Sequence, residues 1–365
     1  MDKSKIIIFQ KKSRFTEKKY IFTLGGSILS HVTNYNYLGL TISASGQFNM
    51  AIKELAEKAR RVYYGLRKTL FQFNLPIRLW LKIFDGVIKP ILLYGSEIWG
   101  PKFQLNYESW DKCPVEIFQL EFCKNILGTH RNTSNLGCRA ELGKFPLLSE
   151  IQKRASKFWF HLSESSPDNY HHSAFRHNTS HPESDPFLHL LNKHQLNSSD
   201  QFRQSKLRHI LNTTQEEYLL YWQNKINEVN KLTCFRKIRT DYNLAPYLLK
   251  LKDYRQRKLV SKYRLSDHSL CIETGRHRQN WTSRDHRLCS NCTDGVVEDE
   301  LHFLTQCSKY QSIRQKYFTL IGNVYPEFHR ENDIEKLSYL LGEMVECIDL
   351  SAQYLFCCHN MRDKN

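Results

Sequence analysis

The spacing of apolar residues changes once along this chain, near residue 49. Before that point Lys5-Ile-Ile-Ile-Phe9 is rich in β-branched residues, and Tyr20-Ile-Phe-Thr-Leu24 runs into Gly25-Gly26. Tyr35-Asn-Tyr-Leu-Gly-Leu-Thr-Ile42 carries a third run of the same kind. Short β-branched and aromatic runs bounded by glycine or basic turns predict strands. Three such strands make a small sheet that needs another layer to pack on. From Asn49 the period lengthens: Ile52, Leu55, Ala59, Val62, Leu66 and Leu70 recur at threes and fours, the stripe of an amphipathic helix. Its other face carries Lys53, Lys58, Arg60, Arg61, Arg67 and Lys68. Pro76 suits a helical first turn, and Trp80, Ile83, Phe84 and Val87 continue the pattern, so the two helices form a hairpin able to cover the sheet. Further helices are expected over 116–127, 148–162, 215–232 and 244–259.

Between 163 and 186 the pattern is lost in a polar stretch with Ser165-Ser-Pro-Asp168, His171-His172, His177 and His181-Pro182. It reads as a linker, extending to 199, and its histidines lack the spacing of a metal site. The expected fold class is therefore mainly α with a small N-terminal antiparallel β piece. The expected order is short strands over 1–48, a helical domain over 49–162, the linker over 163–199, and a basic helical domain over 200–365.

Charge narrows the partners. Lysine and arginine total 53 against 37 acids, a net of +16 and a pI near 9.3. Such an excess attracts phosphate backbones and other anionic surfaces, although a basic helix face is often simply solvated. A second concentration, Lys250, Lys252, Arg255, Arg257, Lys258, Lys262 and Arg264, is interleaved with Tyr247, Tyr254 and Tyr263. Cations for the backbone and aromatic rings for bases suit RNA or DNA, while tyrosines at helical spacing more often belong to a core. Arg276 and Arg278 continue the basic run. No apolar stretch follows Met1, and Pro90 interrupts the greasiest piece, Ile88 to Tyr94. The expectation is a protein that is neither secreted nor membrane-spanning, located in the cytoplasm, the nucleus or both, with its 11 cysteines reduced.

Four of those polar positions carry more chemistry than the rest. Cys289-Ser-Asn-Cys292, then His302 and Cys307, read as CxxC followed by HxxxxC, two short pairs with the ligand spacing of a zinc site. All four positions are filled by protein, which predicts a structural zinc ion and a folded knob rather than a catalytic pocket. A metal-dependent nuclease would need an open position and a histidine to activate water, for which only His286 is near, and the closed site argues against it.

Several strings together resemble the C-terminal part of reverse transcriptases from LINE-type (non-LTR) retrotransposons. They are Lys3-Ser-Lys-Ile-Ile-Ile-Phe9 before Tyr37-Leu-Gly39, Gly46-x-Phe48, and Pro90-Ile-Leu-Leu-Tyr-Gly-Ser-Glu-Ile-Trp99. Ala140-Glu-Leu-Gly-Lys-Phe-Pro-Leu147 follows, and then Tyr263-Arg-Leu-Ser266, Gly275-Arg-His277, the cysteine pattern, and Tyr310 before Arg314. The resemblance implies that residues 3–42 are the last strands of a palm, with Tyr37 and Gly39 beside the primer grip. It implies a thumb over 49–160 that holds a template–primer duplex, and a C-terminal domain whose zinc knuckle assists binding of RNA or DNA.

One departure limits what the resemblance implies. Polymerase chemistry holds two magnesium ions with paired carboxylates, and no Asp-Asp pair occurs in the chain. The family's catalytic turn and its endonuclease lie upstream of the matching strings. The chain is thus expected to be no enzyme, to need no magnesium and to take no small-molecule substrate. It would be a transposable-element fragment of an RNA-directed DNA polymerase that binds RNA or DNA, or alternatively a host-retained binding or interaction module.

Overall fold

The computed structural model describes residues 4–9, 21–103, 106–181, 185–197, 203–277, 279 and 281–363. The fold is mainly α, with a small β piece at the N-terminal end. Three two-stranded pairs make up that piece. Thr23–Leu24 with Ser27–Ile28 and Asn34–Tyr37 with Leu40–Ser43 are antiparallel, while Lys5–Ile6 pairs with Ser30–His31 in parallel.

The run from Tyr35 to Ile42, expected as one strand, is a hairpin. Leu38 and Gly39 take φ of 50° and 83°, the double left-handed turn whose twist matches two antiparallel strands. Asn36 Oδ1 accepts the Gly39 N–H at 3.1 Å, and the Tyr94 hydroxyl donates to the Leu38 carbonyl at 2.6 Å. A glycine at 39 removes the steric cost of that φ.

The chain divides into two compact units, each drawn from three separated stretches: Met1–Thr69, Ile83–Phe118 and Pro146–Thr214, and Leu70–Lys82, Gln119–Phe145 and Gln215–Asn365. They therefore do not follow the consecutive division read along the chain. In the first unit the helix Asn49–Leu70 turns Ala51, Ile52, Leu55, Ala56, Ala59 and Tyr63 inward, and Tyr63 meets the ring of Phe118 edge-on at 5.9 Å. Pro90 does not end the second helix. A π-helical turn over Phe84–Ile88 widens the backbone just before it, and Lys89–Leu92 continues. Gly100 lies against the Leu147–Ser163 helix so closely that a Cβ would stand 2.2 Å from Ile151 Cγ2. Buried Glu116 accepts from Trp110 Nε1 at 2.6 Å and from the Leu147 backbone N–H at 2.8 Å. A carboxylate at a helix N-terminus is stabilised by the exposed peptide dipoles.

The expected linker holds structure. Helices Tyr170–Ser180 and Leu188–His194 lie within it, and Phe187 and Leu190 are buried with Ala155, Trp159, Phe160 and Leu162. A few well-spaced apolar residues close that small core despite the polar composition. Tyr20, residues 182–184 and residues 198–199 lie outside the described residues.

The second unit is organised around a buried arginine. Arg264 Nε donates to Glu141 Oε1 at 2.9 Å, Nη2 to Glu343 Oε1 at 2.6 Å, and Nη1 to the Leu341 carbonyl at 2.8 Å. Its guanidinium also lies 5.0 Å from the centre of the Tyr247 ring. The helix expected over 244–259 is broken into Pro246–Lys250 and Tyr254–Arg264. Asp253 caps the second piece by accepting the Arg255 N–H at 2.7 Å. Among the described residues no helix is long and apolar enough to cross a membrane.

Candidate metal centre

The sulfur atoms of Cys289, Cys292 and Cys307 and a ring nitrogen of His302 lie within 4.8 Å of one another. Two local devices bring them there. Cys289 and Cys292 sit on a tight loop whose neck is closed by Cys289 N–H to the Val296 carbonyl at 2.8 Å and Glu298 N–H to the Arg287 carbonyl at 2.9 Å. Leu288 and Val297 face each other in an antiparallel bridge, and Gly295 turns the loop with φ of 66°.

The second pair depends on a π turn. Five residues along an α-helix rotate a side chain by about 140° away from its starting face, so HxxxxC would not converge there. Here the segment His302–Gln306 is π-helical, and the Cys307 N–H reaches the His302 carbonyl at 2.8 Å. The wider turn stacks His302 and Cys307. Asp299 starts it by accepting the His302 N–H at 2.9 Å, and the Phe303 ring is stacked on Tyr263 at 5.4 Å.

Dimensions and chemistry fit a metal ion. Ligand bonds of about 2.3 Å to sulfur and about 2.0–2.1 Å to nitrogen give tetrahedral edges of about 3.6–3.8 Å. Cys292 Sγ and His302 Nε2 stand 3.4 Å apart, and the largest separation exceeds an edge by about an ångström. Nε2 is the nitrogen turned to the cluster. Burial pushes the Cys292 thiol up to about 12 and raises Cys307 as well, so an incoming cation would displace protons as it bound.

Around the ligands stands a shell that sequence reading missed. Glu298 is buried beside Cys289, its Oε1 3.9 Å from the sulfur. Arg362, 64 residues away on the helix Ile348–Asp363, grips both oxygens of Glu298 at 3.0 and 2.9 Å. The Cys271 N–H adds a bond at 2.8 Å and Asn291 Nδ2 another at 3.2 Å. Burial opposes ionisation of Glu298, but the Arg362 hydrogen bonds outweigh it and hold the carboxyl below its usual range. Glu300 is held low in the same way, with burial opposed by its 2.9 Å bond to His268. Lys309 donates to Asn291 Oδ1 at 2.7 Å, which ties the loop of the first pair to the segment after Cys307.

The basic positions divide sharply. On the helix Asn49–Leu70, Lys58, Arg61 and Lys68 are exposed and Arg67 is half-buried. Arg60 is paired with Glu57 and lies over the Phe118 ring at 5.5 Å. Tyr37 is exposed on the hairpin whose turn holds Gly39. In the second unit Arg255 is exposed, while Lys258 and Lys262 are half-buried. Arg257 and Arg264, expected to touch nucleic acid, are buried: Arg257 Nη1 donates to the Leu251 and Lys252 carbonyls at 2.8 and 2.7 Å. Their charges are spent inside the protein, so neither is a surface contact. Tyr247 and Tyr263 are core residues, and Tyr254 alone of the three is exposed. Arg276 is half-buried, with Nε 3.1 Å from Glu273 and Nη2 bonded to the Asn230 carbonyl at 2.9 Å. Arg278 lies outside the described residues.

No known family, curated protein or solved structure matches the chain.

Proposed function

We propose that this chain binds RNA or DNA without catalysing a reaction of its own, and that Cys289, Cys292, His302 and Cys307 hold a structural zinc ion. The observation that carries the reading is the closed set of three thiols and one imidazole, gathered in a strongly basic chain. Soft donors in a four-coordinate cage suit zinc, and a cage filled by protein leaves no position for an activated water. The ion would fix the loop 289–297 and the π turn against the surrounding helices, and would supply folding energy rather than chemistry.

The strings that resemble LINE-type reverse transcriptases support assigning the chain to the C-terminal portion of such a polyprotein. The missing Asp-Asp pair supports a fragment that cannot polymerise by itself. Each unit brings its own outward cations: Lys58, Arg61 and Lys68 in the first, Arg255 in the second.

The test is metal content combined with salt-dependent binding to RNA and DNA. The expected result is one equivalent of zinc, lost in Cys289→Ser/Cys292→Ser, with affinity that falls as salt rises. A protein that takes up no metal and binds no nucleic acid would overturn the proposal. Primer extension with magnesium would overturn its non-enzymatic part.

A further inference from the structure

Trp281 stands out among the aromatic residues of the second unit: 69% of its surface is exposed, and no ring of a described residue packs on its indole. Its backbone is not loose. The neighbouring Thr282 N–H donates to the Gly275 carbonyl at 2.9 Å, and the Thr282 carbonyl accepts from Arg287 Nε at 2.9 Å. Arg287 is itself buried, with Nη1 on the Ile272 carbonyl at 2.7 Å. Gly275 makes room for that arginine, since a Cβ there would meet Arg287 Cδ at 2.9 Å. The Thr282 backbone next to the indole is thus tied at both its N–H and its carbonyl.

A cleft in the same unit supplies the charge. Lys231, Lys237, Arg276 and Arg284 line it, and its floor includes Asp299 and Glu300 from the segment between the metal-ligand pairs. The carboxylates are already engaged: Glu273 with Arg276, Glu300 with His268, and Asp299 with the His302 N–H. Lys231, Lys237 and Arg284 have no ion pair among the described residues, and the four cations of the lining outnumber its three carboxylates by one. The free space is about 20 Å³. A cavity needs roughly 10–15 Å³ to hold a single water, so this one admits an oxygen of a phosphate and excludes a base or a sugar.

We infer that Trp281 and this cleft form a subsite for single-stranded nucleic acid, the indole stacking on an unpaired base and the cleft taking a backbone phosphate oxygen. The inference rests on the nucleic-acid reading above and adds which form of the polymer is taken and by which residues. A duplex hides its base faces in the stack, whereas a single strand offers them to a projecting ring whatever its sequence.

The experiment measures binding of the whole chain to an oligouridylate of about 12 nucleotides and to a blunt RNA duplex, across a range of salt. Trp281→Ala should weaken the single strand by about tenfold or more, Trp281→Phe should keep most of the affinity, and the duplex should change by less than about twofold. Lys231→Gln/Lys237→Gln/Arg284→Gln should lower the salt slope for the single strand by about 0.7, the value for the one phosphate the cleft takes. Metal content and circular dichroism establish that the variants are folded. An unchanged single-strand affinity in Trp281→Ala, or an equal loss on the duplex, overturns this inference while leaving nucleic-acid binding intact. Failure of the unaltered chain to bind either polymer overturns both.

Discussion

The helices Asn49–Leu70 and Tyr254–Arg264 are both dense in cations, yet they use them in opposite ways. In the first, Lys58, Arg61 and Lys68 fall between the apolar positions and point to water. In the second, Arg257, Val260, Ser261 and Arg264 are spaced three, four and seven apart, and all four are buried. That spacing is one face of a helix. Position relative to the inward stripe, not the count of charges, decides which arginine is available to a partner. An arginine on the inward stripe must bring acceptors with it, because an unpaired buried charge is far costlier than a paired one. Arg264 has Glu141, Glu343 and a carbonyl; Arg257 has two carbonyls.

The largest effect expected from that contrast is on stability. Arg264→Ala strands Glu141, which is fully buried, and should cost about 3–5 kcal/mol. Lys58→Ala, Arg61→Ala and Lys68→Ala should each shift stability by less than about 0.5 kcal/mol. Nucleic-acid binding should reverse the order, with the three outward substitutions lowering the salt slope and Arg257→Gln leaving it unchanged. Denaturant unfolding of each variant, set beside its salt titration, checks both halves. A stable Arg264→Ala protein with weakened binding would put that side chain back on the surface.

Arg362 extends the contrast to the metal centre. It too is a cation turned inward, but its carboxylate is Glu298, next to a ligand sulfur. Partners behind the ligands commonly set metal affinity by 10- to 100-fold. Arg362→Ala should therefore weaken metal retention by about that factor in a chelator competition, with Arg362→Lys losing less. Equal retention in wild type and variant would show that the Glu298 pair serves only to dock the C-terminal helix.

These residues also mark where sequence reading reaches and where it stops. The four candidate ligands are legible as a cluster because each pair is closed by local backbone, a tight loop for CxxC and a π turn for HxxxxC. The long helix at 49–70 is legible for the same reason, since its period is local. Arg362 leaves no trace in the order of residues, because its partner lies 64 positions away. The hairpin at 34–43 was hidden by a run of strand-forming residues on both sides of its turn, although Gly39 within it was a usable signal. In the polar stretch after 163, Phe175, Phe187 and Leu190 are too sparse to set a period and still suffice for a small core.

Histidine gives the comparison its smallest and most conditional case, a half-buried cation that can shed its charge. His194 ends the helix Leu188–His194, where the peptide dipoles favour a positive ring. Burial works the other way, and the charges that reach it, Lys193, His189 and His209, are all repulsive. Its Nε2 has no hydrogen-bond partner among the described residues. The ring's pKa is accordingly lowered from 6.5 to about 4. The folded form binds fewer protons than the unfolded chain between those values, so its contribution is full above pH 6.5 and is lost as pH falls towards 4. Arg264 cannot escape in this way and needs its carboxylates at every pH. Melting temperatures followed across that window should fall more for the wild type than for His194→Gln, which has no proton to gain. Parallel curves for the two would mean that His194 keeps its ordinary affinity for protons, and that its place at the helix end outweighs its burial.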